Sequence, residues 1–239
     1  MDKPRISLII PAYNEEKYLG DCLRSAINNS NGNFFEIIVI DNNSKDRTKQ
    51  VAETFPGVKV VLETKQGLTS ARQGGYRVAT GDILAYVDAD SHAPAGWAER
   101  IAREFANDPK LAVLSGPYYY YNILWWQKIL VKLWYFAALP VYWSTGYMAT
   151  GGNFAIRKSV LDKMGGFDEN IEFYGEDTDI ARRAHKFGKV KFSLSFVMPT
   201  SGRRFSGQGY FKTAYTYFIN FTSEVLFKKP VSKEHTDIR

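Results

Sequence analysis

The chain of 239 residues contains one cysteine, Cys22, and therefore cannot form an internal disulfide. This scarcity indicates a reducing compartment, and the apolar neighbours Leu19, Leu23 and Ile27 predict that Cys22 is a core residue rather than a reactive thiol. A signal peptide is also missing, because the first five residues are polar and the apolar run Ile6–Ile10 is too short. We therefore expect a cytoplasmic protein.

Two widespread nucleotide-binding motifs are missing as well. No Gly-x-Gly-x-x-Gly follows a predicted strand, which argues against a nicotinamide-dependent dehydrogenase, and no Gly-Lys-Ser/Thr is present, which excludes a P-loop enzyme. The composition, with 45% hydrophobic and 23% charged residues, excludes a disordered chain. The length predicts a single domain spanning residues 1–239.

The net charge of +6 lies entirely in the second half of the chain. Residues 1–120 carry 14 Lys or Arg against 15 Asp or Glu, whereas residues 121–239 carry 17 against 10. Such an asymmetry favours a polyanionic ligand or an anionic membrane surface, and a solvated basic face is the alternative. We do not expect nucleic acid as a partner, because the acidic clusters described below would repel phosphate unless metal were bound.

The first half of the sequence alternates apolar runs with segments of helical periodicity. This alternation predicts an α/β fold with a mostly parallel, Rossmann-like central sheet flanked by helices. The predicted strands are 6–10, which stops at Pro11, and 35–40, 58–62 and 83–87. The predicted helices are 15–27, 44–55 with Asn43-Ser44 as its cap, and 67–79.

Polar clusters follow three of these strands, at 11–16, 41–46 and 88–92. The carboxyl ends of parallel strands are where ligands bind in an open α/β sheet, so the clusters predict a site there. One cluster contains Asp88-Ala89-Asp90, whose two carboxylates lie on the same side of an extended turn. Hard oxygen ligands of this kind suit Mn²⁺ or Mg²⁺, which can bridge to phosphates.

The segment 123–143 is dense in tryptophan, tyrosine and leucine, and it includes Lys128, Lys132 and Pro140. Its length approaches that of a membrane span, but the two lysines and the proline argue against one. The pattern favours a helix that lies in a membrane interface or lines an acceptor groove, and a helix buried under a second layer is the alternative. If the helix lies in a membrane interface, we expect a peripheral protein at the inner face of the membrane.

Five ordered motifs resemble those of the family 2 glycosyltransferases, nucleotide-sugar enzymes of the GT-A fold. They are Pro11-Ala-Tyr-Asn-Glu-Glu16, Asp41-Asn-Asn-Ser-Lys-Asp46, Gly67-Leu-Thr-Ser-Ala-Arg-Gln-Gly74, Asp88-Ala-Asp90, and Gly165-Gly-Phe-Asp-Glu169 followed by Gly175-Glu-Asp-Thr-Asp179. The resemblance implies a GT-A domain with a nucleotide-binding half (1–117) and an acceptor and sugar half (118–200). The aromatic segment would be a helical insertion in the second half, and 201–239 would form a basic helical extension at the C-terminus.

The resemblance also implies roles for individual residues. Asp177 would be the catalytic base, beside Glu176, and Asp90 with Asp88 would bind Mn²⁺ or Mg²⁺. Many relatives have a further histidine ligand, but the corresponding stretch here is Ser201-Gly-Arg-Arg204, whose arginines could bind the pyrophosphate instead. The implied donor-binding residues are Pro11, Ala12, Tyr13, Glu15, Asp41, Arg72, Asp88, Ala89, Asp90, Gly152, Asn153, Arg203 and Arg204.

The expected function is an inverting transfer of a sugar from a nucleoside diphosphate, UDP before GDP, to a hydroxyl group of a glycan or lipid-linked acceptor. Cell envelope polysaccharide biosynthesis is the expected setting. The Gln-x-x-Arg-Trp motif of processive synthases is absent, so chain polymerisation is not expected. Two alternatives remain open: transfer to a polyprenyl phosphate, which needs no base, and a non-catalytic module that binds a nucleotide sugar.

Overall fold

The computed structural model describes residues 3–171, 174–227 and 231, so the ends of the predicted domain 1–239 and most of its last twelve residues lie outside the described part. Its main sheet has seven strands in the order β3-β2-β1-β4-β7-β5-β8, and β7 runs antiparallel to its neighbours β4 and β5. The strands of this sheet are β1 (Ile6–Ala12), β2 (Phe34–Asp41), β3 (Val58–Leu62), β4 (Ile83–Val87), β5 (Leu111–Ser115), β7 (Asn153–Arg157) and β8 (Lys189–Phe192).

Helices cover both faces of this sheet, and a small parallel pair of strands, β6 (Tyr118–Tyr120) and β9 (Met198–Thr200), lies beside it. The mixed α/β class with a mostly parallel central sheet is therefore confirmed. The helices are α1 (Leu19–Asn29), α2 (Thr48–Glu53), α3 (Leu68–Val78), α4 (Trp97–Asn107), α5 (Trp125–Thr145), α6 (Lys158–Met164), α7 (Glu176–His185), α8 (Arg203–Gln208) and α9 (Tyr210–Phe227).

The apolar strands are buried because their side chains alternate between two cores. Leu8 and Ile10 of β1 belong to the core on one face of the sheet, whereas Ile9 and Ile38 belong to the core on the other face. A strand that is buried on both faces is mostly apolar, which explains the composition of β1; its one polar residue, Ser7, is buried and donates to the Glu36 carboxylate. Cys22 is 1% exposed and belongs to the first core, as predicted.

Several predicted boundaries were wrong. Strand β1 continues through Pro11 to Ala12, because it pairs with β4 only as far as Ile9 and has a single neighbouring strand beyond that point. Helix α1 begins at Leu19 rather than at 15, since residues 15–18 form turns that bring the Glu15 amide to the hydroxyl of Thr48.

The second predicted helix also begins later, at Thr48 instead of 44. Asp46 accepts a hydrogen bond from the Thr48 amide at 2.9 Å, and Asp41 accepts one from the Ser44 amide at 3.1 Å. These side chains compete with helical hydrogen bonds for the local amides, so residues 42–47 form a loop.

Candidate active site

A cavity of about 860 Å³ lies at the carboxyl ends of β1 and β4 and reaches across to α7, α5 and α9. A volume of this size is at the upper end of the range typical of ligand sites. Twelve of the predicted site residues line it together: Pro11, Ala12, Tyr13, Glu15, Arg72, Asp88, Ala89, Asp90, Glu176, Asp177, Arg203 and Arg204.

Three predicted donor-binding residues do not line this cavity. Asp41 is buried at the end of β2, where it holds the loop that follows. Asn153 is fully buried, and its side-chain amide is bonded to Trp97, Pro117 and Phe196 within the protein. Gly152 lies directly behind Asp88, and a Cβ atom there would be 2.2 Å from the Asp88 carboxyl group.

Asp88 is held by two side chains that reach it from distant parts of the chain. The hydroxyl of Tyr118 donates to its Oδ2 at 2.6 Å, and Nη2 of Arg72 lies 3.4 Å from its Oδ1. The amide of Gly152 donates in turn to the Tyr118 hydroxyl at 2.6 Å. This chain of hydrogen bonds fixes the Asp88 carboxylate at the carboxyl end of β4.

A buried ion pair at the wall of the cavity joins α3 to α7. The Arg72 guanidinium, 2% exposed, contacts the Glu176 carboxylate and lies 5.7 Å from the centre of the Phe154 ring. Burial raises the pKa of Glu176, and the Arg72 guanidinium opposes that shift. Because a buried charge without its partner is strongly destabilising, we interpret Glu176 as the residue that anchors Arg72 rather than as a free base.

Asp90 forms an ion pair with Arg203. Its Oδ2 lies 2.9 Å from Nε of Arg203, and its Oδ1 accepts from the Thr200 hydroxyl at 3.3 Å. The other two nitrogens of Arg203 donate to Glu15 at 2.9 and 2.5 Å, and the guanidinium lies 4.7 Å from the centre of the Tyr18 ring. Burial raises the pKa of Asp90 to about 7, although Arg203 opposes the shift.

The donor set at this end of the cavity fits a divalent cation. No cluster of three His, Cys, Asp or Glu residues suited to a metal occurs among the described residues, so the protein alone offers the two carboxylates of Asp88 and Asp90. Both are hard oxygen donors, and Mg²⁺ in phosphate-binding sites is typically held by one or two carboxylates plus the substrate. The Arg203 guanidinium occupies one side of the Asp90 carboxylate in this structure.

Asp177 lies in the first turn of α7, where Gly175 with a φ of 84° ends the preceding loop. Its Oδ1 accepts from the amide of Thr178 at 2.8 Å, and burial raises its pKa above the ordinary value. The residue is partly exposed and lines the cavity. A carboxylate with a raised pKa at a cavity wall can accept a proton from a bound hydroxyl group.

The sequence did not reveal two side chains that complete the site. Tyr118 was noted only as part of an aromatic run, and Thr200 follows no motif, yet they donate to Asp88 and Asp90 respectively. Strands β6 and β9, which carry them, pair with each other beside the cavity. Only this pairing, which is distant in sequence, could have identified them.

Helix α5 confirms that the aromatic segment is helical. The alternative, a helix buried under a second layer, is wrong. Ala138 is the only buried residue of α5, whereas Trp125 and Trp143 are more than 70% exposed. Lys132 is exposed, and Lys128 donates to the Tyr119 hydroxyl at 3.2 Å. Within the part of the chain that the structure describes, no helix combines the length and hydropathy needed to cross a membrane.

Comparison with known proteins agrees with this geometry. The model of Glycosyl transferase family 2 matches residues 7–165. The probable glycosyltransferase YdaM of Bacillus subtilis is 28% identical over 207 residues, which cover 77% of this chain and 47% of that protein. The chain thus spans less than half the length of this curated relative.

Two solved structures share the fold. The mannosyltransferase PcManGT of Pyrobaculum calidifontis, in complex with GDP-Man and Mn²⁺, has a TM-score of 0.72 and 21% identity, covering 95% of this chain and 65% of its own. Glucosyl-3-phosphoglycerate synthase of Mycobacterium tuberculosis, in complex with Mn²⁺, UDP and phosphoglyceric acid, has a TM-score of 0.69 and 17% identity, covering 94% and 78%. Since the family model matches well over half of the sequence, the chain belongs to glycosyl transferase family 2.

Proposed function

We propose that the protein transfers a sugar from a nucleoside diphosphate sugar to a hydroxyl group of a glycan or lipid-linked acceptor, with inversion at the anomeric carbon. One observation carries this proposal: a single cavity contains the acid pair Asp88 and Asp90 and, on another wall, the carboxylate Asp177. The Asp88 and Asp90 carboxylates suit a diphosphate with its cation, and the Asp177 carboxylate suits the deprotonation of an acceptor. Two centres in one cavity are what a direct displacement needs.

The donor side of the reaction depends on charge. Mn²⁺ or Mg²⁺ held by Asp90 and Asp88 would stabilise the negative charge that develops on the leaving diphosphate. Arg203, once released from Asp90, can bind the pyrophosphate through its guanidinium fork, and Arg204 lines the same cavity. Pro11, Ala12 and Tyr13 would contact the nucleoside at the end of β1.

The acceptor side depends on Asp177. A neutral hydroxyl group must lose its proton as it attacks, and Asp177 would take that proton. An already ionised polyprenyl phosphate would need no base, so a raised pKa at Asp177 favours a hydroxyl acceptor. UDP remains our first expectation for the donor; the two structural neighbours are complexes with UDP and with GDP-Man.

Membrane association is part of the proposal. Helices α5 and α9 expose large apolar side chains, including Trp125, Trp143, Phe211 and Tyr215, each at least 64% exposed. Exposed apolar area of this extent marks a binding surface. Neither helix has an exposed carboxylate among its described side chains, since α5 lacks Asp and Glu and the only one on α9, Glu224, is buried. An anionic membrane, such as the inner face of the cell envelope, fits such a surface.

A donor screen tests the enzymatic proposal. Purified protein is incubated with each nucleotide sugar in the presence of Mn²⁺, Mg²⁺ or chelator, and the release of nucleoside diphosphate is measured. We expect release from one nucleotide class, its loss in chelator and in Asp90→Ala, and normal release in the control Asp21→Ala, which removes an exposed acid of α1. A protein that binds nucleotide sugar but never releases diphosphate would be the non-catalytic module instead. Full activity of Asp90→Ala would contradict the metal assignment.

Sedimentation with vesicles tests the membrane proposal separately. We expect the protein to sediment with anionic vesicles at low salt, and less so at high salt or with neutral vesicles, because the attraction is partly electrostatic. Replacing Trp125 and Phe211 by serine should reduce the bound fraction without changing nucleotide binding. No sedimentation with anionic vesicles at low salt would refute this part.

A further inference from the structure

The cavity has a second arm that the donor site does not use. It continues from the strand ends into a groove between α5 and α9, which we call the helix groove. Six of its wall residues are Leu130, Leu133, Trp134, Ala137, Ala214 and Phe221. On α5 this wall runs from residue 130 to residue 138, about 12 Å at the rise of an α-helix.

The helix groove begins next to the predicted base. Tyr174, just before α7, packs edge-to-face on Tyr217 of α9, with ring centres 6.1 Å apart, and both tyrosines line the cavity. Asp177 follows Tyr174 by three residues and lines the same space. An acceptor whose reacting oxygen is at Asp177 therefore has its remaining length directed along the helix groove.

The walls of the helix groove are mostly apolar. Tyr135, Tyr210, Tyr217 and Asn220 also line it, but the Tyr135 hydroxyl accepts from the Tyr118 amide and the Asn220 side chain donates to the Thr216 carbonyl. The six side chains named above contain a single polar atom, the indole nitrogen of Trp134. Trp134 itself packs edge-to-face on Phe218 and Phe221, at 5.7 and 5.9 Å between ring centres, and so connects the two helices. A sugar chain placed along these six side chains would replace few of its hydrogen bonds to water, whereas a hydrocarbon chain would lose none.

The helix groove also opens towards the surface proposed to face the membrane. Leu130 and Leu133 line the groove and are still 39% and 56% exposed, so its α5 wall is continuous with the exposed apolar face of that helix. The exposed cations Lys132 and Lys212 lie on the two helices that form it. A chain could thus pass from a bilayer into the groove without crossing a polar barrier.

We infer that the acceptor is a lipid carrying a hydroxyl group, and that its apolar chain lies in the helix groove while its head group reaches Asp177. The inference rests on the proposed glycosyl transfer and names the acceptor class of the same site. It also gives α5 and α9 a role beyond attachment, since together they align the chain. A soluble glycan acceptor would leave the helix groove without an occupant.

The test uses n-alkyl glycosides as probes, from hexyl to dodecyl, below the concentration at which they form micelles. Their affinity for the wild-type protein is measured by calorimetry in the presence of nucleoside diphosphate and Mn²⁺. We expect the affinity to rise by about two- to four-fold for each added methylene until the groove is filled, as hydrocarbon burial requires. An affinity that does not depend on chain length would overturn the inference.

Two variants separate the helix groove from the outer surface. Ala214→Trp fills the groove and should abolish the dependence on chain length, and Ala214→Leu serves the same purpose if tryptophan is not tolerated. Phe35→Trp adds bulk at an aromatic side chain of β2 that is 53% exposed and does not line the groove, and it should leave the dependence intact. If Ala214→Trp keeps the wild-type dependence, the chain binds elsewhere and the inference is wrong.

Nucleoside diphosphate affinity, measured on the same samples, distinguishes the two proposals. If the protein binds nucleotide but shows no dependence on alkyl length, only the lipid inference fails. If it binds no nucleotide, the proposed glycosyl transfer fails first. Alkyl phosphates form a second arm of the series: tighter binding of the phosphate head than of the glycoside head would reject the hydroxyl acceptor and favour a phosphate one.

Discussion

Nε of Arg203 lies 2.9 Å from Oδ2 of Asp90, so an arginine from the C-terminal part of the chain neutralises the acid that is predicted to bind the metal. The same guanidinium forms a two-point contact with Glu15 at the end of β1. A divalent cation bound by Asp90, as proposed, would compete with Arg203 for one carboxylate.

The Arg203→Gln variant tests this competition. Without the guanidinium, Mn²⁺ no longer has to displace a charge-assisted hydrogen bond, so its affinity in the absence of nucleotide should rise about ten-fold. Calorimetric titration with Mn²⁺ at pH 8 measures the change. The exposed Lys189→Gln serves as a control for the loss of one positive charge. Unchanged or weaker Mn²⁺ binding by Arg203→Gln would show that the arginine does not occupy the metal position.

Gly152→Ala should damage the donor site without unfolding the protein. A Cβ atom at this position would lie 2.2 Å from the Asp88 carboxyl group and 2.3 Å from the Tyr118 hydroxyl, so Asp88 must move. We expect the affinity for nucleoside diphosphate with Mn²⁺ to fall about ten-fold, in line with the usual cost of overpacking. In the control Gly20→Ala, the added atom meets only the flexible Arg24 side chain at 3.4 Å. Equal nucleotide affinities of the two variants would contradict the assigned role of Asp88.

Glu224 of α9 should make the stability of the protein depend on pH. Its side chain is fully buried, with Oε1 3.5 Å from Nε of Arg182 on α7, and burial raises its pKa from 4.5 to about 7. A raised carboxyl pKa means that the folded protein binds the proton more tightly than the unfolded chain does. The associated stability is complete below about pH 4.5 and is lost as the pH rises through 7.

Glu224→Gln should therefore melt at a higher temperature than the wild type at pH 8 and at a similar temperature at pH 5. Differential scanning calorimetry across this range measures the difference, and the exposed Glu53→Gln is the control. A lower melting temperature for Glu224→Gln at pH 8 would show that its pair with Arg182 is a net stabilising interaction instead.

The sequence was sufficient for those features that depend on local pattern. The apolar run of β4 followed at once by Asp88 and Asp90 predicts both a strand and the acids at its end, because burial and strand ends are local properties. The start of α2 was mispredicted because Asn43-Ser44 resembles a helix cap in the sequence. In the structure the Ser44 amide donates to Asp41 and the Thr48 amide to Asp46, and the helix begins only at Thr48.

The partners of these acids could not be predicted in the same way. Arg203 and Glu15 are 188 positions apart, and Arg72 and Glu176 are 104 apart. No periodicity connects such pairs, since they meet only when β9, α7 and α8 fold onto the ends of the first strands. Most of the predicted site residues line one cavity, while the residues that hold them in place had to come from the structure.

The Asp177→Asn variant tests the central claim most directly, because asparagine keeps the size of the side chain and removes its capacity to accept a proton. Steady-state turnover with the donor found in the screen and a hydroxyl acceptor, together with donor affinity by calorimetry, is the measurement. We predict a fall in turnover of about 10²- to 10⁴-fold, the usual contribution of a general base, with little change in donor affinity. Near-normal turnover by Asp177→Asn would remove this residue from the mechanism and contradict transfer to a hydroxyl group activated by α7.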